Sequence, residues 1–408
     1  MSTTRRRFLA ASLGSSAIVS LTPRVPGFLL QAAAREQNKK QGENVLVVVQ
    51  LSGGNDGLNT VVPYADDAYG RNRFTLRIGE GQVRKIDDYA GFHPAMEGFE
   101  KLLQQEKLAV LQGVGYENPN RSHFESMDIW HTARRKDQPR RVGWLGASLD
   151  AAVNAGPDVA AMHLGEGKQP LALASLKVNV PSIRSLQGFR LRGSEDRALV
   201  RTVEQALAAQ RDANDDLLQF LHSSTSAALA TSRRIQEVLG HGKTAVKYPQ
   251  TKLAGKLRDV AQLIDADLGT RVYYVTLSGF DTHAEQNNAH AALLGELSGA
   301  LAAFSEDLKS RGHDRHVLTL AFSEFGRRLR ENASGGTDHG AAAPLFLIGS
   351  RVKPGLIGKH PSLTDLTSGD LKYHTDFRRV YATLLEKWLG WPSAEVLGKQ
   401  YRPLDVLA

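Results

Sequence analysis

Three apolar, β-branched runs, Val45 to Leu51, Val272 to Leu277 and Val317 to Phe322, each stop at a cluster of glycine and polar residues. The clusters are Gly53-Gly54-Asn55-Asp56-Gly57, Gly279-Phe280-Asp281-Thr282-His283 and Ser323-Glu324-Phe325-Gly326. A fourth, Gly336-Thr337-Asp338-His339-Gly340, follows shortly. Continuous apolar runs of this kind are strands buried on both faces, as in parallel sheets covered by helices. Open α/β sheets place their chemistry at the carboxyl ends of such strands, so the clusters are expected on one functional rim.

Two further runs, Leu108 to Val114 and Leu345 to Ile348, complete the expected strands, and helical stretches alternate with them. Leu253, Leu257, Val260, Ile264 and Leu268 fall at helical spacing, as do Leu293, Leu297, Leu301, Phe304 and Leu308. The pattern predicts an α/β fold with a mainly parallel sheet sandwiched by helices. From about 193 to 242 the chain turns to Ala, Gln, Asp, Arg and Ser with no strand signal, which reads as a helical insertion. Residues 43–408 are expected to form a single α/β domain with this insertion.

The N-terminus reads as an address. Thr4-Arg5-Arg6-Arg7-Phe8-Leu9 fits the twin-arginine export pattern, and the apolar stretch to Leu21 is too short for a membrane-spanning helix. Ala32-Ala33-Ala34 offers a cleavage site, giving a signal peptide at 1–34 and a polar linker at 35–42. The expected location is periplasmic or extracellular, with the twin-arginine export machinery as a partner and no transmembrane segment in the mature chain. Cleavage removes four arginines and no acid, leaving 47 basic against 43 acidic side chains. That thin excess argues against nucleic acid as a partner. With no cysteine anywhere, disulfides and thiolate metal sites are excluded, so any metal is held by oxygen and nitrogen.

Asp281 and His283 stand two residues apart in a loop after a strand, a spacing that lets both converge on one divalent ion. Thr282 and Glu285 also spell the capping box of the next helix, a role compatible with ligation. Asp338 and His339 are flanked by glycine in an adaptable loop, open alike to ligation and to a solvated surface role. Glu324 at the end of an apolar strand needs a cation or an arginine, with Arg327 as the competitor for it. Asp56 lies among glycines that permit close approach of a ligand. Ser122 with Glu125 forms a second capping box, placing its hydroxyl at a helix N-terminus where anions are favoured, with Arg121 available for substrate oxygens. His93 and His131 are weaker candidates, more often packed or surface residues.

The ordered motifs V-V-x-L-S-G-G-N-D-G-L-N, N-R-S-H-F, G-F-D-T-H, S-E-F-G-R and G-G-T-D-H-G, behind a twin-arginine signal, resemble the exported bacterial family known as domain of unknown function 1501. That family is in turn distantly similar to the alkaline phosphatase and sulfatase superfamily, whose members hold one or two divalent ions at strand ends and use a helix-capping nucleophile. The resemblance implies an alkaline phosphatase-like fold and carboxylate ligation by Asp56. It places Ser122 at the nucleophile position, and implies that Asp281 and His283 bind one metal, that Glu324 replaces the Asp of an S-D-H-G loop, and that His339 is the last metal-binding His. Phe325 departs from the pattern, standing where that loop has a metal-binding His. No C-x-P-x-R or S-x-P-x-R motif occurs in the mature chain, which excludes a formylglycine sulfatase.

The expected activity is a metal-dependent hydrolase of a phosphate or sulfate ester, or a related anionic group. Its catalytic residues would be Ser122 and Arg121, and its metal residues Asp56, Asp281, His283, Glu324, Asp338 and His339. Zinc, manganese or calcium would serve as cofactor and a small anionic ester or carbohydrate-linked molecule as substrate. The alternative is a non-catalytic exported binding or envelope protein on the same fold.

Overall fold

The computed structural model describes residues 43–153, 160–186, 244–267 and 269–408, all within one compact unit, Gln41–Ala408. The expected signal peptide, linker and helical insertion lie outside the described residues. Apart from a small three-stranded sheet of Val61–Val62, Arg84–Lys85 and Gly91–Phe92, the strands in chain order are β1 (Val45–Ser52), β2 (Leu108–Gly115), β3 (Ala160–Leu164), β4 (Ser182–Ile183), β5 (Thr270–Ser278) and β6 (Val317–Ser323). They continue with β7 (Arg327–Glu331), β8 (Thr337–His339), β9 (Ala343–Ile348), β10 (Gly355–Ile357), β11 (Leu366–Thr367), β12 (Asp370–Leu371) and β13 (Thr375–Asp376). The main helices are α1 (Glu97–Gln104), α2 (His123–Thr132), α3 (Trp144–Val153), α4 (Lys252–Asp265), α5 (Gln286–Ser310) and α6 (Phe377–Ala382).

The main sheet runs β10-β2-β9-β6-β1-β5-β3-β4, with β13 paired to β2. Strands β6, β1, β5, β3 and β4 are parallel neighbours, as the apolar runs predict. Side chains alternate across β1, so Val45, Val47, Val49 and Leu51 enter one core while Leu46 and Val48 enter the other. The first core is closed by α1, α4 and α5, the second by α2, α3 and α6. The heptad-like stripes read from the sequence are the faces of α4 and α5 that bury Leu257, Val260, Leu297 and Leu301.

One strand departs from the parallel expectation. β9, which contains Leu345 to Ile348, runs antiparallel to both β2 and β6. A parallel return requires a crossover of a dozen or more residues, usually a helix. Between β6 and β9 the chain makes only the antiparallel β7–β8 ribbon and a short link, so it re-enters the sheet in reverse. Strand β2, antiparallel to β9, is thereby aligned with β6, and its carboxyl end joins the same rim. Among the described residues no helix is long and apolar enough to cross a membrane.

Beneath the rim, Gln50 Oε1 accepts from Tyr274 OH (2.5 Å) and His131 Nε2 (2.9 Å), all three buried. His131 is thus a packed histidine, and burial pushes its pKa down to about 4. A depressed folded-state value means that the unfolded chain binds the proton first, so stability falls as pH drops from about 6.5 towards 4. The variant His131→Gln is expected to lessen that acid sensitivity, read as a smaller difference between denaturant midpoints at pH 7 and pH 4.5 than in the parent protein. An unchanged difference would remove His131 from the acid response.

Candidate metal centre at the strand ends

Adjacency of β6, β1 and β5 brings their following loops together. Gly53 has φ +124°, and a Cβ there would lie 2.3 Å from the Asp281 nitrogen; Gly54 has φ +79°, and its Cβ would meet the Phe325 ring at 2.3 Å. The glycines expected to admit a ligand instead admit the neighbouring loops. The buried Arg327 side chain binds these loops into one piece. Its Nε donates to Gly54 O (2.7 Å), Nη1 to Thr337 O (2.6 Å), and Nη2 to Gly53 O, Phe280 O (2.9 Å) and Asp281 Oδ1 (2.8 Å).

Four side chains meet above this clamp. Asp281 Oδ1 lies 3.0 Å from His339 Nε2 and 3.1 Å from His283 Nε2, and Asp281 Oδ2 lies 3.3 Å from His123 Nε2. The His283 and His339 Nε2 atoms are themselves 2.8 Å apart. Each imidazole turns its other nitrogen to an oxygen. His339 Nδ1 is 2.7 Å from Arg121 O, His123 Nδ1 is 2.9 Å from Glu324 Oε1, and His283 Nδ1 is 3.6 Å from Asp338 Oδ1. A carbonyl oxygen only accepts, so His339 carries its proton on Nδ1 and presents the Nε2 lone pair to the cluster. The arrangement repeats that of metal-bound histidines, whose second nitrogen is held by a carboxylate or carbonyl. His123 Nε2 is a buried atom with no hydrogen-bond partner, facing the same space.

The electrostatics agree with the geometry. Burial opposes ionisation of Asp281, but its contacts with His339 and with the Arg327 guanidinium, which donates to Oδ1, hold its carboxyl at about 2. Burial lowers the His339 pKa, favouring the neutral ring that a metal requires. The hydrogen bond that His123 Nδ1 donates to Glu324 raises the pKa of His123, against a smaller desolvation effect. Phe325 walls the cluster on one side, its ring centroid 5.0 Å from that of His123 and 4.6 Å from that of His339.

The residues singled out in the sequence divide into three groups. Asp281, His283 and His339 come together, with Asp338 behind His283. Glu324 stands behind His123, accepting also from Gly53 N–H (2.9 Å), and its expected competitor Arg327 is turned to Asp281 instead. Asp56 is elsewhere, fully buried against Arg73 (Nη1–Oδ2 2.5 Å, Nη2–Oδ1 3.0 Å) and Gln286. Burial opposes its ionisation, yet Arg73 more than offsets this and holds it at about 2. His93 sits apart from the cluster, its Nδ1 accepting from Ala95 N–H (3.0 Å).

Ser122 occupies the N-cap of α2 as expected, but its hydroxyl caps nothing; Asn120 Oδ1 accepts the Ser122 N–H (2.8 Å) and Glu125 pairs with Arg140. The Thr282–Glu285 capping box also fails to form, because α5 begins at Gln286 and Thr282 Oγ1 donates to Gln286 Oε1 (3.1 Å). Arg121 is engaged by Asp370. The residue missed is His123. Its signal in the sequence is the N-R-S-H-F stretch following β2, where the imidazole stands next to the Ser122 hydroxyl and the Arg121 guanidinium.

Fold and site together define an α/β protein with an open, histidine-rich candidate metal centre at the carboxyl ends of its strands. The chain belongs to the family described as protein of unknown function DUF1501, which it matches over residues 43–389. No curated protein matches the sequence. Among solved structures the chain is similar to the C-terminal periplasmic domain of EcEptC from Escherichia coli in complex with Zn (11% identity, 76% of this chain and 74% of that chain, TM-score 0.38). It is similar also to a protein in the alkaline phosphatase superfamily from Vibrio parahaemolyticus (8%, 98% and 78%, 0.39) and to the PsFucS1 sulfatase from Pseudoalteromonas sp. (11%, 93% and 74%, 0.38). At such identities and scores the chemistry has to be read from the site.

Arg73→Met would strand a buried carboxylate and is expected to cost about 3–5 kcal/mol of stability, seen as a lowered denaturant midpoint. Adding Asp56→Leu should recover at least half of that loss. Failure of the second change to rescue the first would show that Arg73 acts through other partners, such as the Leu329 and Arg328 carbonyls it also donates to.

Proposed function

We propose that this protein is an exported metal-dependent hydrolase acting on a phosphate or sulfate ester, or a related anionic group, at the His123–Asp281–His283–His339 centre. The observation behind this reading is the 2.8 Å approach of the His283 and His339 Nε2 atoms over the Asp281 carboxylate. With the His339 proton on Nδ1, its Nε2 lone pair faces His283 Nε2 at a distance that suits either a proton carried by His283 or a cation held by both rings. Three imidazole nitrogens and one carboxylate suit zinc or manganese; calcium, which takes six to eight oxygen ligands, suits them poorly. Bound there, such an ion would supply Lewis-acid polarisation of an ester oxygen and would favour deprotonation of a nucleophile.

The remaining roles belong to the chain itself. Glu324 and the Arg121 carbonyl fix the orientation and tautomer of His123 and His339. Arg327 keeps Asp281 ionised and in place. Ser122, exposed at the start of α2 beside His123, is the candidate nucleophile, and free N–H groups at that helix terminus favour an incoming anion. Asp56 takes no part, since Arg73 satisfies it. The substrate is a small anionic ester, free or linked to carbohydrate, encountered after twin-arginine export of the chain behind residues 1–34.

One observation favours a second reading, a non-catalytic exported binding protein on the same fold. Arg121, expected to grip substrate oxygens, is already paired with Asp370.

Elemental analysis of the folded protein is expected to find about one equivalent of zinc or manganese, absent from Asp281→Ala/His283→Ala, which should also lose all hydrolysis of aryl phosphate or sulfate esters. Glu324→Gln should weaken metal affinity about 10–100-fold. Ser122→Ala should abolish turnover with metal content unchanged. A parent protein that takes up neither ion would sink the hydrolase; one that binds metal yet cleaves no ester would point to the binding protein.

A further inference from the structure

Asp370 lies outside the metal-type centre, on the β11–β12 hairpin. Thr367 pairs with Asp370 across a two-residue turn in which Ser368 (φ 53°) and Gly369 (φ 84°) both have positive φ, as a type I′ turn requires. The turn sets Asp370 at a fixed position, where its side chain is only 5% exposed. Two arginines from different parts of the rim face it. Arg121 donates from Nε (3.0 Å) and Nη2 to Oδ2, and Arg328 Nε stands 3.5 Å from Oδ1. Arg328 follows the Arg327 clamp on β7, and Arg121 begins the segment that leads into α2.

That segment touches the centre on both sides of Ser122. The Arg121 carbonyl receives the His339 Nδ1 proton at 2.7 Å, and His123 reaches Asp281 and Glu324. Within the chain the loop before α2 is fixed by Asn120, whose N–H donates to Tyr116 OH (3.0 Å) and whose Oδ1 accepts the Ser122 N–H of the same peptide unit as the Arg121 carbonyl (2.8 Å). The side chain of Arg121 adds the contact that ties this peptide unit to the distant β11–β12 hairpin, and the carbonyl it helps to place decides which nitrogen His339 offers.

We propose that Asp370 is a positioning residue for the centre: by holding the Arg121 fork it fixes the Arg121 carbonyl, and through it the His339 tautomer with Nε2 facing Asp281. The role in metal binding rests on the hydrolase reading above; the role in His339 orientation stands on the geometry alone. Without Asp370 the Arg121 carbonyl keeps only its local Asn120–Ser122 fixing and loses its tie to the hairpin, and a shift away from His339 lets that ring place its proton on Nε2, where it blocks ligation.

The test uses the whole mature chain with ¹⁵N-labelled histidine. In the metal-free parent, long-range ¹H–¹⁵N spectra of the His339 ring should show the proton on Nδ1. Asp370→Asn should give a mixture of tautomers and a zinc dissociation constant, measured by chelator competition, raised about 10–100-fold. Arg121→Lys, which keeps the charge and loses the fork, should shift the same ring signals, and the double variant should add little to either change. Asp365→Asn removes the exposed Lys372 ion pair on the same hairpin and should leave both readouts at parental values. Parental His339 signals and zinc affinity in folded Asp370→Asn would overturn the proposal, as would, should that variant fail to fold, parental values in Arg121→Lys. If the parent itself took up no zinc, the metal reading would fall, while the ring signals would still decide the role of Asp370.

Discussion

A single buried guanidinium holds the rim together. Arg327 gives all its donating edges to four backbone carbonyls and one carboxylate, drawn from the loops after β1 and β5 and from β8. A charged group this deep is tolerable only when fully hydrogen-bonded, and here the partners that satisfy it are also the parts of the site that must be placed. Asp281 is one of those partners, so its position and its ionisation have the same cause. His339 pairs directly with Arg327 across the β7–β8 ribbon, which ties the last imidazole to the same residue through the backbone. Remove the clamp and the clusters would be separate loops.

Much of the architecture was legible because it follows from period and composition. Runs such as Val45 to Leu51 have no polar face, so they had to be strands with cores on both sides, and the polar clusters that interrupt them had to lie on one rim. The direction of β9 was not legible, because nothing in Leu345 to Ile348 distinguishes a parallel from an antiparallel neighbour; what decides it is that the preceding connection is taken up by the β7–β8 ribbon and holds no crossover helix. Within the site, local pairs along the chain were the weakest guide. Ser122 with Glu125 and Thr282 with Glu285 both have the spacing of capping boxes, yet Arg140 takes one glutamate and Gln286 takes the threonine. Side chains in this rim choose partners from other loops, and that choice is invisible to spacing. The same cause hid His123, whose neighbours Asp281 and Glu324 are far away in sequence, and gave Asp56 to Arg73.

The fate of Asp56 also bears on how many cations the rim accommodates. Its carboxylate is neutralised by a covalently attached cation, the Arg73 side chain, in a setting closed by Gln286 and Tyr69 with 0% exposure. Phe325 then fills the neighbouring space against Gly54 and presents a ring, with no donor atom, to His123 and His339. Among the described residues, the arginine and the phenylalanine leave one open cluster on the rim. That cluster is half-exposed, with side-chain exposures of 48% for Asp281 and 44% for His283, so a solute reaches it directly.

The contacts that make the cluster also join distant stretches of chain. His123 and Glu324 are 201 positions apart, and Arg121 and His339 218. Closing loops of that size has an entropic cost that no pair of imidazoles can offset, so these groups meet only after the β1–β5–β6 sheet has formed beneath them. A chain that collapsed without this sheet would leave the same side chains on separate loops, so the geometry of the cluster reports on the register of the strands beneath it.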